Sequence, residues 1–437
     1  MRMEIKKTGI NGEGIGYLNR KPVFVTGCFA GETAEVKIIE DRGKYLRGKT
    51  ERIIVRSPYR TQSICPYSKE CGSCPFIDLK YEAQLKYKEE ILQETLNKYC
   101  DLEIKFEHIN PSRQFGYRNK LNMPVTADKN GRLHTAMYRA GSNHAVVIDD
   151  CPLHDKELER VRKAVLKALN RAKMTVYQHS VKKGIRQLII RGFRQFQVIL
   201  ITGSETINVQ VIAEIMAIPG VVSLWQGINI QKNPVNMMPD KIKLISGKEE
   251  IELQICGYDV SLHPQAFFQL NREQAARIYD KVNELVKGKV SLAVEAYCGI
   301  GVMSMMIHDK AQEVIGVEID RRAVNSARRN AEANGITNVT FCCNDAGSEL
   351  IRLSRKKKVD LLIADPPRTG LSDNFIQCLL KSPVRKIIYV SCNPATLARN
   401  IKELSGKYEV ERVIPYDMFP NTPHIETVTV LNLKEKR

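Results

Sequence analysis

The chain has 437 residues, 43% of them hydrophobic, which is enough for two or three domains with hydrophobic cores and excludes wholesale disorder. Its 67 Lys and Arg residues exceed its 49 Asp and Glu residues, and the net charge of +18 favours a polyanionic partner, most simply a nucleic acid. Residues 1–7 are charged, no signal peptide follows, and no apolar run approaches the roughly 18 residues of a membrane span, so we expect a cytoplasmic protein that does not associate with membranes.

Residues 1–60 alternate short β-branched runs with glycine turns, which predicts a meander or small barrel of short strands. Lys and Arg residues are interspersed along it. A basic β-barrel face suits a nucleic acid backbone, and a solvated charged surface is nearly as good an interpretation. The segment also resembles a TRAM domain, an RNA-binding appendage of RNA-modifying enzymes, in its glycine turn, in residues 23–27 and in residues 31–32.

Three closely spaced cysteines, Cys65, Cys71 and Cys74, form a C-x5-C-x2-C pattern in a glycine-containing loop. Without a secretory signal, cysteines serve as ligands or nucleophiles more often than as disulfides, so this spacing predicts a metal site. Cys151 is the candidate fourth ligand and Cys100 is its competitor. Both tetrahedral zinc and a [4Fe–4S] cluster fit the pattern, and the frequency of C-x2-C pairs in zinc sites favours zinc.

The cysteine site belongs to a predicted central α+β domain over residues 61–265. Its expected elements are helices over 81–99, 158–174 and 209–217, a strand pair over 185–191 and 195–202, and a strand region over 251–260. Arginine and aromatic residues interleave between 113 and 139, which suits single-stranded RNA and suits ordinary strands with a charged outer face equally well. This domain shows no catalytic constellation.

A glycine pair follows the first predicted strand of the carboxyl-terminal part. A helix is expected over residues 267–285, and the strand over 290–294 leads into Gly299 and Gly301. Glycines at a strand-to-helix turn let a ligand approach the backbone closely. Ser304 stands where a dinucleotide-binding fingerprint has its third glycine, which argues against NAD.

Acidic residues stand at the carboxyl ends of the next three predicted strands. They are Glu318 after strand 313–317, Asp345 after strand 339–342 and Asp365 after strand 359–364. An acid after the second strand suits a ribose diol, and Asp345 could contact an adenine amino group. With the glycine pair, this series predicts a Rossmann-like methyltransferase domain over residues 266–437 that binds S-adenosylmethionine.

A cysteine, Cys392, lies in a polar Ser-Cys-Asn-Pro turn after the predicted strand 387–390. Ligands bind at the carboxyl ends of strands in open α/β sheets, so Asp365, Arg368 and Cys392 are expected at one cleft. A cysteine in such a turn is a candidate nucleophile, although a buried small hydrophobe is the ordinary interpretation. Glu426 precedes the last strand and is a general-base candidate if its loop returns to Cys392; otherwise it fits a strand-edge salt bridge.

A methyl donor, a strand-end cysteine, a carboxylate and a basic surface together suggest methylation of a pyrimidine at C5. That carbon is too poor a nucleophile for direct transfer, so a thiolate must first add to C6. The resulting enolate takes the methyl group, a base removes the C5 proton, and elimination frees the cysteine. The target base must be unstacked, in a single strand or flipped.

The motifs resemble those of the RNA uracil-5-methyltransferases of the TrmA/RumA type along essentially the whole chain. They are the TRAM-like start, the four cysteines, Phe-Phe-Gln-Leu-Asn, Tyr-Cys-Gly-Ile-Gly, Asp-Pro-Pro-Arg, Ser-Cys-Asn-Pro-Ala-Thr-Leu-Ala-Arg-Asn and His-Ile-Glu-Thr-Val. The resemblance implies that Cys65, Cys71, Cys74 and Cys151 hold a [4Fe–4S] cluster rather than zinc. It implies catalytic roles for Cys392 and Glu426 and uracil contacts for Phe267 and Arg368. It also implies donor contacts from Gln269, Tyr297, Glu318 and Asp365, with Asp345 as a weaker candidate.

Several alternatives remain open. Glu295 replaces the usual aspartate and Val302 a residue that is polar in some relatives, which makes the donor affinity less certain. The cluster and the TRAM-like start favour 23S ribosomal RNA as substrate for a monomeric enzyme, with transfer RNA as the alternative. Amino-methyltransferases of adenine or cytosine place an aromatic residue where Arg368 stands and would leave Cys392 without a role. The last alternative is a non-catalytic RNA-binding assembly factor.

Overall fold

The computed structural model describes residues 1–100, 103–232, 234 and 236–435. Within these ranges the amino-terminal strands form a six-stranded sheet in the order β1-β5-β6-β4-β3-β2. Its strands are β1 (Arg2–Glu4), β2 (Lys7–Thr8), β3 (Gly14–Leu18), β4 (Lys21–Thr26), β5 (Thr33–Asp41) and β6 (Leu46–Val55). The sheet encloses a small core of its own that includes Ile5, Val23 and Val36, as the alternation of apolar and polar residues predicts.

The central domain is built on a second sheet with the order β13-β12-β11-β10-β7-β8-β9, seven strands as far as the described residues show. The strands are β7 (Lys120–Ala127), β8 (Leu133–Tyr138), β9 (Ala145–Val147), β10 (Ile185–Gly192), β11 (Phe196–Thr202), β12 (Val221–Ile228) and β13 (Ile242–Gly247). Helices α2 (Lys156–Arg171) and α3 (Val209–Met216) share one hydrophobic core with this sheet. The predicted pair of strands is the antiparallel pair β10–β11, and the predicted strand region over 251–260 is the hairpin of β14 (Ile251–Ile255) and β15 (Tyr258–Leu262).

The carboxyl-terminal sheet has the order β18-β17-β16-β19-β20-β22-β21 in the described part of the chain. Its strands are β16 (Val290–Ala296), β17 (Ala311–Glu318), β18 (Val339–Cys343), β19 (Leu361–Ala364), β20 (Lys386–Ser391), β21 (Tyr408–Tyr416) and β22 (Glu426–Leu433). Strands β16 to β20 are parallel, and β22 runs antiparallel between β20 and β21. The strand order reverses between β16 and β19, which is where open α/β sheets bind ligands.

Helices cover both faces of this sheet and form two large hydrophobic cores. They are α4 (Arg272–Leu285), α5 (Val302–Met306), α6 (Arg321–Ala333), α7 (Ala346–Ser354), α8 (Asp373–Lys381) and α9 (Pro394–Leu404). The helix predicted from residue 267 begins instead at Arg272, because the side chain of Asn271 accepts a hydrogen bond from Gln274 N and ends the preceding extended segment. Residues 267–270 therefore stay free to face the site.

The predicted helix over 81–99 is α1 (Tyr81–Tyr99), but it packs on the carboxyl-terminal sheet's domain. Tyr87, Leu92 and Leu96 belong to the same core as α9 and strands β16 and β19. The division into residues 1–60, 61–265 and 266–437 remains a prediction about domains, and this packing shows how the second range interlocks with the third. No helix in the described ranges has the length and apolar character that crossing a membrane requires.

Candidate active site and a cysteine cavity

A cavity opens at the carboxyl ends of β16 and β19, where the strand order reverses. Its walls come from the ends of both strands, the glycine turn, α5 and the segment before α4. The lining residues are Phe267, Phe268, Tyr279, Glu295, Tyr297, Cys298, Gly299, Ile300, Val302, Met303 and Asp365. We call this space the donor cavity, because it includes the predicted donor residues Tyr297 and Asp365.

The turn after β16 is shaped by three residues with positive φ. Tyr297 has φ of 64°, and its ring stacks on Phe375 with centroids 6.1 Å apart and an interplanar angle of 26°. Gly299 has φ of 54° and open space where a Cβ would lie. At Gly301, with φ of 84°, a Cβ would come within 2.6 Å of the Phe341 ring. The turn therefore needs both glycines, and Tyr297 adopts a conformation that L-residues avoid.

The carboxylate of Glu318 holds this glycine turn in place. It accepts hydrogen bonds from Gly299 N at 3.1 Å, Ile319 N at 2.8 Å and Asp320 N at 3.0 Å. Asp345 lies one strand further, where its Oδ1 caps α7 by accepting from the backbone N and the hydroxyl of Ser348, both at 2.9 Å. The structure thus gives Asp345 a local capping role, and its predicted adenine contact stays a prediction.

The segment before α4 is fixed by the central domain. Asn119 donates its side-chain N–H to Gln269 O at 2.7 Å, and buried Arg191 donates to the carbonyls of Pro264 and Ala266 at 3.1 and 2.8 Å. Gln269 is almost fully buried, whereas the ring of Phe267 is 72% exposed. An aromatic ring that is held on a rigid segment and left in solvent is available for stacking.

Cys392 and Glu426 lie next to each other at the end of the sheet. In the antiparallel pair β20–β22, Ser391 is opposite Thr427, so the residue after Ser391 and the residue before Thr427 are neighbours. Glu426 is buried, and its Oε1 has no hydrogen-bond partner among the described residues. The predicted return of this segment to the cysteine is thus present, and among the described residues Glu426 forms no salt bridge.

Arg368 and Asn393 join the two motif loops beside the cysteine. Asn393 caps α9 through Ala395 N and donates to Arg368 O at 3.0 Å. The guanidinium of Arg368 lies 3.3 Å from Nε2 and 3.4 Å from Nδ1 of His424. Burial, Arg368 and other cations lower the pKa of His424 to about 4, so its ring is neutral near pH 7.

Buried acidic groups dominate the electrostatics of the site. Burial raises the pKa of Asp365 to about 7, and it raises the pKa of Glu295 to about 8 despite a hydrogen bond from Ser304. The pKa of Glu426 is raised first by burial and then by Asp365, while Arg368 lowers it. Burial, Glu426 and Asp365 raise the pKa of the Cys392 thiol to about 11, and Arg368 opposes them. In the free protein near pH 7 the Cys392 thiol is therefore protonated, and the carboxyl groups near it titrate in a linked way.

The four predicted cluster ligands all line a second cavity. Cys65, Cys71, Cys74 and Cys151 surround it together with Arg118, and we call it the cysteine cavity. Cys100, the competing candidate, is buried in the core beneath α1 instead. Across the ranges that the structure describes, no three His, Cys, Asp or Glu side chains are close enough to hold a single metal ion.

Other residues at these sites were not predicted. Tyr279 lines the donor cavity, and burial, Asp365 and Glu295 raise the pKa of its phenol. The sequence placed it inside a helix with no mark of its role. Arg118 at the cysteine cavity was noted only as part of a basic segment. For His424, the sequence feature that could have indicated a role is its position two residues before Glu426.

Comparisons with known proteins agree with this geometry. Residues 239–434 match the sequence model of the tRNA (Uracil-5-)-methyltransferase family, and residues 1–50 match the TRAM domain. A Listeria monocytogenes protein described as an uncharacterized RNA methyltransferase is 34% identical over 447 residues, covering 99% of this chain and 97% of its own. A Bacillus anthracis protein with the same description is 34% identical over 444 residues, covering 98% and 96%.

A solved structure shares the whole architecture. The Pyrococcus abyssi tRNA (uracil-54, C5)-methyltransferase in complex with S-adenosyl-L-homocysteine superposes with a TM-score of 0.79 at 27% identity, covering 99% of each chain. The Rossmann-like domain and the amino-terminal TRAM domain are therefore those of a methyl-transferring enzyme. The chain belongs to the family of S-adenosylmethionine-dependent RNA (uracil-5-)-methyltransferases.

Proposed function

We propose that this enzyme methylates C5 of a uridine in 23S ribosomal RNA through a covalent bond between Cys392 and C6 of the base. The observation that carries the proposal is the position of Cys392 beside Glu426 on neighbouring strands, next to Asp365 at the donor cavity. A thiol and a carboxylate on adjacent strand ends can act on neighbouring atoms of one ring.

The chemistry assigns one task to each of the two side chains. The thiolate of Cys392 adds to C6, and the electron pair of the C5–C6 bond moves into the enolate. C5 then attacks the donor methyl group, and S-adenosylhomocysteine leaves. Glu426 takes the proton from C5, and the electrons of that bond expel the Cys392 thiolate, which restores the aromatic base.

The Cys392 thiol of the free site must lose its proton before it can attack C6. Cys392 is protonated near pH 7, and the buried carboxyl groups oppose its ionisation. Arg368 is the residue that favours the thiolate. A cationic sulfonium bound beside Asp365 would lower the carboxyl pKa values in turn and free Glu426 to act as a base.

Donor binding is assigned to residues around the glycine turn. Tyr297 offers an aromatic face, Glu318 orients the turn and can accept from a ribose hydroxyl, and Asp365 lies at the reacting end. Gln269 lies in the segment before α4, which forms one wall of the cavity. Asp345 follows β18, one strand beyond Glu318. In this proposal the exposed side chain of Phe267 stacks on a flipped uracil, and the cation of Arg368 orients it.

The cysteine cavity fits an iron–sulfur cluster by its donor set. Four thiols and the guanidinium of Arg118 line a common space, and Cys65, Cys71, Cys74 and Cys151 would hold a [4Fe–4S] cluster through their thiolates. Zinc would draw all four sulfurs to about 2.3 Å from one atom. The cluster, when bound, would supply a cross-link between residues 65–74 and Cys151; the methyl transfer needs no electron from it.

The choice of 23S ribosomal RNA rests on the combination of the TRAM domain with these four cysteines. Transfer RNA is the second candidate, because the superposed Pyrococcus abyssi enzyme is named for transfer RNA. Both substrates present single-stranded or looped uridines, which the site chemistry requires.

Methyl transfer from labelled S-adenosylmethionine to separate pools of unmodified 23S ribosomal RNA and transfer RNA tests the proposal. We expect 5-methyluridine in the ribosomal RNA pool. Label in transfer RNA alone would overturn the substrate and keep the reaction. RNA binding without label in either pool would favour the non-catalytic alternative.

Variants test the two catalytic assignments separately. Cys392→Ala should abolish both turnover and any covalent protein–RNA complex. Glu426→Gln should still add and methylate but fail to lose the C5 proton, so a denaturation-resistant methylated complex should accumulate on gels. The assignment of Glu426 would be wrong if that variant turned over at the wild-type rate.

A further inference from the structure

Arg118 lies at the wall of the cysteine cavity. Its backbone N–H donates to Leu153 O at 2.9 Å, next to the segment that carries Cys151. Its side chain lines the cysteine cavity with the four thiols. The Nε of its guanidinium is enclosed and has no hydrogen-bond partner in the described ranges.

Within the ranges that the structure describes, the Arg118 guanidinium forms no ion pair with a carboxylate, and its Nε is unpaired. The buried carboxylate of Glu159, eight residues after Cys151, is engaged by His154 at 2.6 Å and by Arg162 at 2.6 Å. A buried charge without a counter-ion is costly, so the arrangement requires negative charge in the cavity itself.

Neutral thiols cannot supply that charge, whereas a metal–thiolate group can. Metal binding removes the thiol protons, and four thiolates on a four-iron cluster leave a net negative charge. Arg118 lines the cavity that such a group would fill. The guanidinium would then have both a hydrogen-bond acceptor in a thiolate or sulfide sulfur and a counter-charge.

We propose that Arg118 is the counter-charge of an anionic iron–sulfur group in the cysteine cavity. The inference rests on the proposed cluster. In this role Arg118 touches neither donor nor RNA in the reaction.

The test compares wild type, Arg118→Met, Arg118→Lys and the exposed control Arg132→Met, all isolated anaerobically with iron and sulfide reconstitution. Iron and sulfide content and the midpoint potential of one-electron reduction by dithionite are measured, the latter by electron paramagnetic resonance. Removal of a nearby positive charge disfavours the more negative reduced cluster, so Arg118→Met should shift to a more negative potential. The midpoint potentials of Arg118→Lys and of the control Arg132→Met should both stay near the wild-type value.

Loss of iron from Arg118→Met but not from Arg118→Lys also supports the proposal, because lysine keeps the positive charge and methionine does not. Equal potentials in wild type and Arg118→Met, or loss of iron from both variants, would overturn it. So would weakened RNA binding at unchanged potential, which would assign Arg118 to the RNA. A wild-type protein that transfers methyl groups but holds no iron would overturn this inference and leave the proposed reaction intact.

Discussion

Two buried carboxyl groups, those of Glu295 and Asp365, line the donor cavity, and the buried carboxyl group of Glu426 lies near Asp365. Burial raises the pKa of Asp365 to about 7 and that of Glu295 to about 8, and it raises the pKa of Glu426 as well. Asp365 and Glu295 are therefore at least partly protonated in the free protein at neutral pH. A donor with a positive sulfonium favours their ionised forms, so its binding is linked to proton release.

This linkage predicts a pH dependence that distinguishes the donor from its product. Affinity for S-adenosylmethionine should rise from pH 6 to pH 9 as Asp365 and Glu295 ionise, by up to about tenfold per pH unit below the lower pKa. S-adenosylhomocysteine lacks the sulfonium charge and should show a weaker trend. Calorimetric titration of both ligands across this range checks the prediction, and parallel pH profiles for the two would contradict it.

At the scale of elements, the site depends on how β22 enters the sheet. This strand lies between β20 and β21 and runs against β20, so Glu426 at its start meets Cys392 after the end of β20. The loop before β22 is anchored by α1. Buried Lys88 pairs with Asp417 and donates to Phe419 O at 3.1 Å, and Tyr81 donates to Asp417 at 2.8 Å.

The buried pair predicts a large difference between two lysine substitutions. Lys88→Met leaves Asp417 buried without its cation and should lower the free energy of unfolding by about 3–5 kcal/mol. Lys7→Met removes an exposed pair with Glu94 and should cost about 1 kcal/mol or less. Urea denaturation of both variants measures the difference. Equal losses would show that the Lys88–Asp417 pair contributes no more than a surface pair.

Sequence reasoning located the strand ends but not this anchoring. Apolar runs bounded by turn residues predicted strands β16 to β20, and their acidic ends predicted the donor site. The partner of α1 was missed, because an amphipathic pattern shows that a helix has a buried face without showing what covers it. The start of α4 was placed too early because Phe267 and Phe268 continue an apolar pattern that the Asn271 cap interrupts.

At the scale of the whole molecule, the central sheet and the catalytic sheet jointly build the target side of the site. Asn119 and Arg191 from the central sheet hold the segment that presents Phe267. The net charge of +18 favours association of the whole molecule with an RNA backbone. Most of the RNA affinity should therefore come from phosphate contacts, and base contacts should select the uridine.

Salt should separate RNA binding from donor binding. Affinity for an unmodified ribosomal RNA fragment should fall at least about tenfold between 50 and 200 mM salt, because phosphate contacts release counterions. Affinity for S-adenosylhomocysteine should change little over the same range. Fluorescence anisotropy with labelled RNA and calorimetry with the small ligand provide the two measurements. An RNA affinity independent of salt would mean that stacking, rather than charge, dominates binding.

The left-handed backbone of Tyr297 has a consequence for protein engineering. A tyrosine at φ of 64° costs the folded chain roughly 1–2 kcal/mol that glycine would avoid. Selection of this enzyme for heat resistance alone would therefore favour glycine at position 297, and the selected protein would lose the ring that stacks on Phe375 at the donor cavity. Libraries screened for thermostability need a second screen for donor binding to keep an active enzyme.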